Sequence, residues 1–134
     1  MCRPGDLILI HGVKCNGETL GLHTFVVLND EAGKVQGVDY NLICSIMSSF
    51  KNDQQRAKKL SYPGNFPISY KDEQLVIQGN ERDGFIKAEQ FFFFDKDNLN
   101  YRIIGCLCDD VFAVLLEFIE QLAVPIQEIT DNIT

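Results

Sequence analysis

Two histidines are the residues of this chain best suited to acid–base chemistry. His11 ends the apolar segment Asp6–His11, and His23 begins the apolar segment His23–Leu28. An imidazole exchanges a proton near neutral pH, so either side chain is a candidate proton carrier. A lone histidine at the start of a strand also serves as a structural hydrogen-bonding group, and the sequence leaves both interpretations open.

The cysteines do not form a recognisable redox or metal motif. There are five of them, an odd number at irregular spacing, which favours reduced thiols over a disulfide framework. Cys106 and Cys108 are two positions apart, but no second cysteine pair or histidine-rich run accompanies them. The chain also lacks a phosphate-binding glycine loop, a dinucleotide fingerprint and a nucleophile elbow. We therefore expect core thiols, no metal and no cofactor.

One segment, residues 51–59, is basic and rich in helix formers. Its four bases are Lys51, Arg56, Lys58 and Lys59. Two prolines and a glycine in residues 62–67 predict a loop that carries Tyr62 and Phe66 beside these bases. Single-stranded RNA is recognised by such rings and cations, through stacking and phosphate contact. The alternatives are a solvated helix face and rings that tuck back onto the core.

The charge of the whole chain limits this hypothesis. The 134 residues carry a net charge of −7, and a polyanion is bound mainly by Lys and Arg at its phosphates. Six of the 19 acidic residues lie after residue 108, where no base occurs, so much of the acidity belongs to the C-terminal part. With 46% apolar and 23% charged residues, the composition is that of one folded domain. No apolar run approaches the ~18 residues of a membrane span, and residues 1–6 lack a secretion signal, so we expect a cytoplasmic protein with no membrane partner.

The periodicity predicts a mainly β domain. Strands are expected at Asp6–His11, His23–Leu28 and 34–40, with a glycine-rich loop at 12–21. The run Phe91–Phe94 predicts a strand buried on both faces, followed by a turn at 95–98 and another strand at 101–104. Short strands are expected at 68–70 and 75–77.

Helices are predicted in two places. Apolar residues at i, i+1, i+4, i+5 and i+8 in Asn41–Phe50 favour a helix, which with the basic segment gives a helical insertion of about 41–60. A clean apolar stripe predicts a C-terminal helix of about 110–122, made by Val111, Val114, Leu115, Phe118, Ile119 and Leu122. Pro125 ends it, and residues 125–134 are expected to be a flexible tail.

The second half of the chain resembles the MazF/PemK (Kid-like) growth-inhibitor toxins. The resemblance lies in Lys87-Ala88-Glu89-Gln90, the turn at Asp95-Lys96, Ile104-Gly105 with Leu107, and the helix from Asp109. The first half begins as that family does, with Gly5-Asp6-Leu7, a loop, and a second strand ending in Val26-Val27-Leu28. The resemblance implies an SH3-like small β-barrel over residues 1–124, with the helical insertion and the C-terminal helix added to it.

The resemblance also implies a function. Members are metal-independent endoribonucleases that cut single-stranded RNA by 2′-hydroxyl attack, act as homodimers and are inhibited by an antitoxin. His23 stands where the family usually has an Arg, and Ser69 where it has a hydroxyl residue. The implied catalytic pair is therefore His23 and Ser69. The candidate RNA-binding residues are Lys51, Arg56, Lys58, Lys59, Tyr62, Phe66 and Arg82.

The acidic balance and the missing Arg motivate a second hypothesis. In it, the chain is a non-catalytic MazF-like domain that binds a protein or peptide in the equivalent groove. A structural or regulatory subunit unrelated to toxins is a third.

Overall fold

The structure is a computed structural model that describes residues 1–75 and 83–134. Its helices are α1 (Asp53–Leu60) and α2 (Asp109–Glu120), and single 3-10 turns lie at Tyr70–Asp72 and Lys96–Asn98. The strands are β1 (Asp6–His11), β2 (Lys14–Cys15), β3 (Glu18–Thr19), β4 (Leu22–Asn29), β5 (Gly33–Val35), β6 (Val38–Tyr40), β7 (Leu42–Ser49), β8 (Asn65–Ile68), β9 (Glu73–Leu75), β10 (Gly84–Lys87), β11 (Gln90–Phe94), β12 (Tyr101–Leu107) and β13 (Gln127–Ile129).

One large sheet organises the chain, and the prediction of a mainly β fold is confirmed. Its strands follow the order β13-β11-β7-β4-β1-β12-β9, with β10 on β7 and β8 on β10. All of these pairs are antiparallel except β11 with β13. In the described residues the two ends of this path do not pair with each other, so no closed barrel is seen.

Each side of the sheet carries its own apolar core, because alternate residues of a strand point to opposite faces. We call the side of Ile8 and Phe25 face 1, and the side of Leu7 and Val26 face 2. On face 1 the Phe25 ring meets Phe92 and Phe94 edge-on, at centroid distances of 5.2 and 6.0 Å. Phe92, Phe93 and Phe94 therefore lie in the interior, and Phe91 is partly buried against face 2.

The two faces are covered by different kinds of element. Helix α2 packs part of its predicted stripe on face 2, and Val114 of that stripe is instead 54% exposed. Leu115 is fully buried, and the Phe118 ring centre lies 5.1 Å from that of Phe66. Asp109 and Asp110 lie in its first turn, where carboxylates stabilise a helix N-terminus. Face 1 is covered instead by the β2–β3 hairpin, through Val13, and by the C-terminal segment, through Ile129.

The helix predicted from Asn41 is wrong, because residues 42–49 form the central strand β7. Leu42, Cys44 and Ile46 face one core, and Ile43 and Met47 face the other. A strand with apolar residues on both sides satisfies part of a helical spacing, and its pairing with β4 and β11 decides the outcome. Only residues 53–60 of the expected insertion are helical.

Two other segments differ from the sequence-based prediction. Residues 34–40 form a tight hairpin, β5–β6, because Gln36 and Gly37 take positive φ values of 50° and 80°. The loop expected at 62–67 gives way to strand β8 from Asn65. Pro67 is accommodated because β8, within residues 1–75 and 83–134, is an edge strand that pairs only with β10. Of the strand predicted at 75–77, residue 75 lies in β9 and the rest lie outside the described residues.

Strands β10 and β11 form one irregular strand along the same edge of β7. Phe92 pairs with Cys44 of β7, and Ile86 pairs with Met47. The chain therefore advances six residues along β10 and β11 where β7 advances three, and the extra residues bulge around Glu89. The Glu89 backbone oxygen accepts from Gln127 N at 2.7 Å, while its side chain is buried over Gly64. Within the described part of the chain, Glu89 Oε2 has no hydrogen-bond partner.

Part of the tail that was predicted to be flexible, residues 125–134, forms a strand. Residues 127–129 form β13, which pairs in parallel with Gln90–Phe92, and Ile129 enters the face 1 core. Backbone hydrogen bonds made by a short polar segment leave no apolar period in the sequence. Neither described helix is long and apolar enough to cross a membrane.

Candidate nucleic-acid interface

Helix α1 carries three basic side chains, Arg56, Lys58 and Lys59, and Lys51 lies just before it. Asn52 caps it, accepting from Gln55 N at 2.8 Å, and none of its residues is buried. Lys58 and Lys59 lie in its last turn, where cations interact favourably with the free carbonyls. Among the described residues no ion pair engages Lys51, Lys58 or Lys59. Three cationic groups are therefore free to meet an anion.

The two predicted stacking rings have different fates. Tyr62 is 41% exposed just beyond α1, and Asn65 Nδ2 donates to Lys59 O at 2.8 Å, which fixes this corner. Phe66 is 8% exposed and packs on Phe118 of α2. Tyr62 can stack on a base, whereas Phe66 belongs to the face 2 core, as expected for a ring that tucks back onto the core.

Arg56 is engaged within the protein. Its guanidinium lies 3.8 Å from Asp83 and 5.1 Å from the centre of the Phe50 ring. It also lines a shallow depression of about 230 Å³ with Ser69, Asp72 and Asp83. A phosphate at Arg56 would have to compete with the Asp83 carboxylate, so this residue is a weaker contact than the three lysines.

Ser69 acts as the cap of a 3-10 turn. Its backbone N donates to Asp72 Oδ2 at 2.8 Å, and its Oγ accepts from Lys71 N at 3.3 Å. Asp72 thus closes a reciprocal capping box with Ser69. The hydroxyl hydrogen remains available to a ligand, but the local sequence already requires a serine here for structural reasons.

Glu73, which sequence reasoning missed, carries the most perturbed carboxyl of this region. Burial, with Asp72 and Asp83 nearby, raises the pKa of Glu73 to about 7. A carboxyl that titrates near neutrality is able to transfer protons. The adjacent Asp72 was a visible signal, but Asp83 comes from elsewhere in the chain and only the fold brings it close.

His23 is not brought to Ser69. It lies at the start of β4 opposite Ile10, half-buried on face 1 beside Phe25. The pairing of β4 with β7 ends at Phe25 opposite Ile46. On its other edge, β7 pairs with β10. Two strands, β7 and β10, therefore separate β4 from β8, the strand that Ser69 follows. No hydrogen bond joins the two proposed catalytic residues in the part of the chain that the structure describes.

The remaining candidates are dispersed. His11 is exposed at the end of β1, and Arg82 lies outside the described residues. Burial raises the pKa values of Glu89 and Cys15. Lys87 lies close to both groups, and its charge offsets part of that rise. None of the five cysteines is in a disulfide, and the described residues contain no cluster of three or more His, Cys, Asp or Glu able to hold a metal.

Comparison with known proteins adds no assignment: neither a protein-family model nor a curated protein sequence matches this chain. The likeness to the MazF/PemK toxins therefore stays a prediction made from residues.

Proposed function

We propose that this chain is a MazF/PemK-like domain that binds single-stranded RNA and cuts it as a metal-independent endoribonuclease. The observation that carries the proposal is the corner formed by Lys58, Lys59 and Tyr62, with Lys51 before the same helix. It combines unpaired cations with an exposed ring on the only basic segment of an acidic chain. Cations fix phosphates and a ring stacks on a base, whatever the base is.

The proposal includes a small barrel of the MazF/PemK type. Its support is the antiparallel path β11-β7-β4-β1-β12 with a C-terminal helix packed on one face. None of the five cysteines is in a disulfide, which fits the reducing cytoplasm that the proposal assumes. The family resemblance adds a homodimer and an antitoxin as partners.

The proposed cleavage is attack of a ribose 2′-hydroxyl on the adjacent phosphate. His23 takes the proton from that hydroxyl, the bond between phosphorus and the 5′-oxygen breaks to leave a 2′,3′-cyclic phosphate, and the leaving oxygen takes a proton from water. Hydrogen-bond donors stabilise the charge that develops on the phosphate. Because two strands separate β4 from β8, the strand that Ser69 follows, His23 is the residue on which this step depends. Ser69 is assigned the smaller role of a donor at the edge of the RNA path.

Binding is tested by fluorescence anisotropy with an unstructured RNA oligonucleotide at several salt concentrations. Each phosphate contact to a single strand contributes a slope of about −0.7 in log K against log[salt]. Replacing Lys58 and Lys59 by Ala should weaken binding and make the slope less negative by about 1.4. The matched control is Lys34→Ala on the β5–β6 hairpin, which should change neither. Equal loss in the control, or no binding by the wild type in low salt, would refute the RNA interface.

Cleavage is tested separately, on a long unstructured RNA in chelator. His23→Ala should abolish cleavage while RNA binding is retained, and Ser69→Ala should reduce the rate less. The control is His11→Ala, an exposed imidazole at the end of the neighbouring strand, which should cut like the wild type. If His23→Ala cuts as fast as the wild type, His23 is not the proton acceptor.

The alternative is a non-catalytic domain that binds a protein or peptide. It is favoured by the depression in which Asp83 neutralises Arg56, with Asp72 and the Glu73 carboxyl nearby. Such a surface repels phosphates and suits a partner that carries positive charge. Steeply salt-dependent RNA binding would count against this alternative.

A further inference from the structure

The C-terminal segment holds the β2–β3 hairpin through side chain to backbone hydrogen bonds. Asn132 Oδ1 accepts from Lys14 N, and Asn132 Nδ2 donates to Lys14 O, both at 2.9 Å. Asp131 Oδ2 accepts from Gly17 N at 2.9 Å. The first two bonds satisfy both backbone groups of one strand residue, as a neighbouring strand would. One amide side chain therefore replaces a sheet partner.

These bonds contact the hairpin at the start of its first strand and at its turn. Lys14 begins β2, and Gly17 lies in the turn, where Asn16 and Gly17 have φ values of 51° and 87°. Positive φ at both central residues gives a tight turn whose amide points outward to the Asp131 carboxylate. Asp131 also lies close enough to Cys15 to add to the raising of its thiol pKa, which is due first to burial. The contact therefore extends along the whole hairpin.

What the hairpin covers is the apolar core of face 1. Val13 is 2% exposed within that core, and Cys15 and Leu20 pack against it. The base of the hairpin is closed by one backbone bond, from Leu20 N to Val13 O at 2.8 Å. Among the described residues β2 and β3 pair only with each other, so the hairpin is outside the large sheet. Its position depends on the side chains beneath it and on the C-terminal segment above it.

The C-terminal segment is itself held by a short element. β13 is three residues long, and of these only Ile129 is buried. Its first residue donates to Glu89 O at the bulge between β10 and β11. A three-residue parallel strand at a sheet edge opens far more readily than the central strands. Its release would remove the support of the hairpin at the same moment.

We propose that residues 127–134 form a strap that locks the β2–β3 hairpin against face 1, and that release of the strap opens the hairpin next to His23. The hairpin is joined to β4 two residues after Leu20, so its opening exposes the end of face 1 on which His23 lies. The claim that the strap controls access to the RNA site rests on the proposed function. The claim that the strap holds the hairpin in place does not depend on it.

The link is tested with the variant Asp131→Ala/Asn132→Ala, which removes all three bonds. The reporter is the Leu20 amide, whose own bond to Val13 is untouched by the substitutions, followed by hydrogen exchange. Its exchange should be about tenfold faster or more, and trypsin should cleave after Lys14 faster by a similar factor. The matched control, Glu128→Ala, alters an exposed side chain of the same segment and should leave both rates unchanged.

A graded variant keeps the test informative if the double variant is poorly folded. Asn132→Asp retains the acceptor for Lys14 N and loses the donor to Lys14 O, so Leu20 should exchange at an intermediate rate. Global unfolding is followed in parallel by urea titration. Wild-type exchange at Leu20 and wild-type cleavage at Lys14 in a folded double variant would overturn the strap.

The regulatory part has its own readout. If the strap limits access to His23, the double variant should bind or cut RNA better than the wild type, and Glu128→Ala should not. Faster Leu20 exchange with unchanged RNA behaviour would keep the mechanical link and refute its role in regulation. Absence of RNA binding in the wild type would refute the proposed function and leave the exchange result standing.

Discussion

The two faces of the sheet are covered in opposite ways. Face 2 is covered by helix α2, a single element whose apolar stripe supplies the contact through Leu115 and Phe118. Face 1 is covered by two short segments far apart in sequence, the β2–β3 hairpin and the strap, which hold each other by hydrogen bonds. Apolar burial is spread over many contacts, whereas three hydrogen bonds at the surface are few and exposed to competition from water. We therefore expect helix α2 to stay packed on face 2, whereas the hairpin on face 1 is the cover that is able to open.

The largest expected effects come from the side chains at the centre of each face. Phe25→Ala should lower the free energy of unfolding by about 3–5 kcal/mol, since it removes a ring that contacts Phe92 and Phe94. Leu115→Ala should lower it by about 2–5 kcal/mol, measured by urea denaturation. Val114→Ala, on the same helix but 54% exposed, is the control and should be nearly neutral. If Leu115→Ala leaves the free energy of unfolding unchanged, α2 does not stay packed on face 2 through this side chain.

A smaller effect is expected in the strap. Ile129 is 2% exposed, yet the penalty for Ile129→Ala cannot exceed the free energy needed to detach β13. We expect about 2 kcal/mol or less in global stability, below the range of Leu115→Ala. Hydrogen exchange of the Leu20 amide should rise in the same variant. A global loss as large as that of Phe25→Ala would show that the strap unfolds only with the whole domain.

Glu89 lies between the strap and the segment before β8, and Gly64 is the residue at which its packing is tested. A Cβ on Gly64 would lie 2.5 Å from Glu89 Oε2 and 2.7 Å from Tyr62 Cε2. Gly64→Ala should therefore destabilise by about 1–2 kcal/mol through overpacking. The loss should shrink in a Glu89→Ala background, because the carboxylate is then absent, and a double-mutant cycle in urea measures the coupling. Additive effects would exclude this contact as the cause.

The smallest expected effect is a pH dependence on the helix side. Glu73 lies on β9, and Asp72 O accepts from Cys108 N just before α2. Because burial beside Asp72 and Asp83 raises the pKa of Glu73 to about 7, the folded state favours the protonated form. Its contribution to stability is present at acidic pH and is lost as pH rises from the ordinary value of Glu through about 7.

This pH effect is measured as the difference between wild type and Glu73→Gln. Unfolding in urea is followed at pH 5.5 and pH 8, and the wild type should lose more stability than the variant over that interval. Leu20 exchange should not respond to Glu73→Gln, because Leu20 belongs to the other cover. Equal pH dependence in both proteins would assign the titration to another group.

The sequence was a good guide wherever one segment makes its own contacts with one core. The stripe from Val111 to Leu122 marked a helix with a face to bury, and four phenylalanines in succession could only be interior. The strand at Asp6–His11 was marked by its turn and its apolar run. These features depend on periodicity, which is a local property.

The features that sequence reasoning missed depend on partners from elsewhere in the chain. Leu42–Ser49 has the composition of either a helix or a strand buried on both sides, and only its pairing decides between them. The pKa of Glu73 requires Asp83, and the strap requires backbone groups of Lys14 and Gly17, which carry no sequence signal at all. For the candidate site, the basic corner was visible in the sequence, whereas the separation of His23 from Ser69 was not.

Strand β1 has one neighbour close in the chain, β4, and another almost at its far end, β12. The backbone of Cys2 even donates to the hydroxyl of Tyr101, 99 positions away. During synthesis the first strand must therefore wait with one edge unpaired until most of the chain has left the ribosome. We expect folding to be slow for a domain of this size, and the newly made protein to depend on chaperones more than its final stability would suggest.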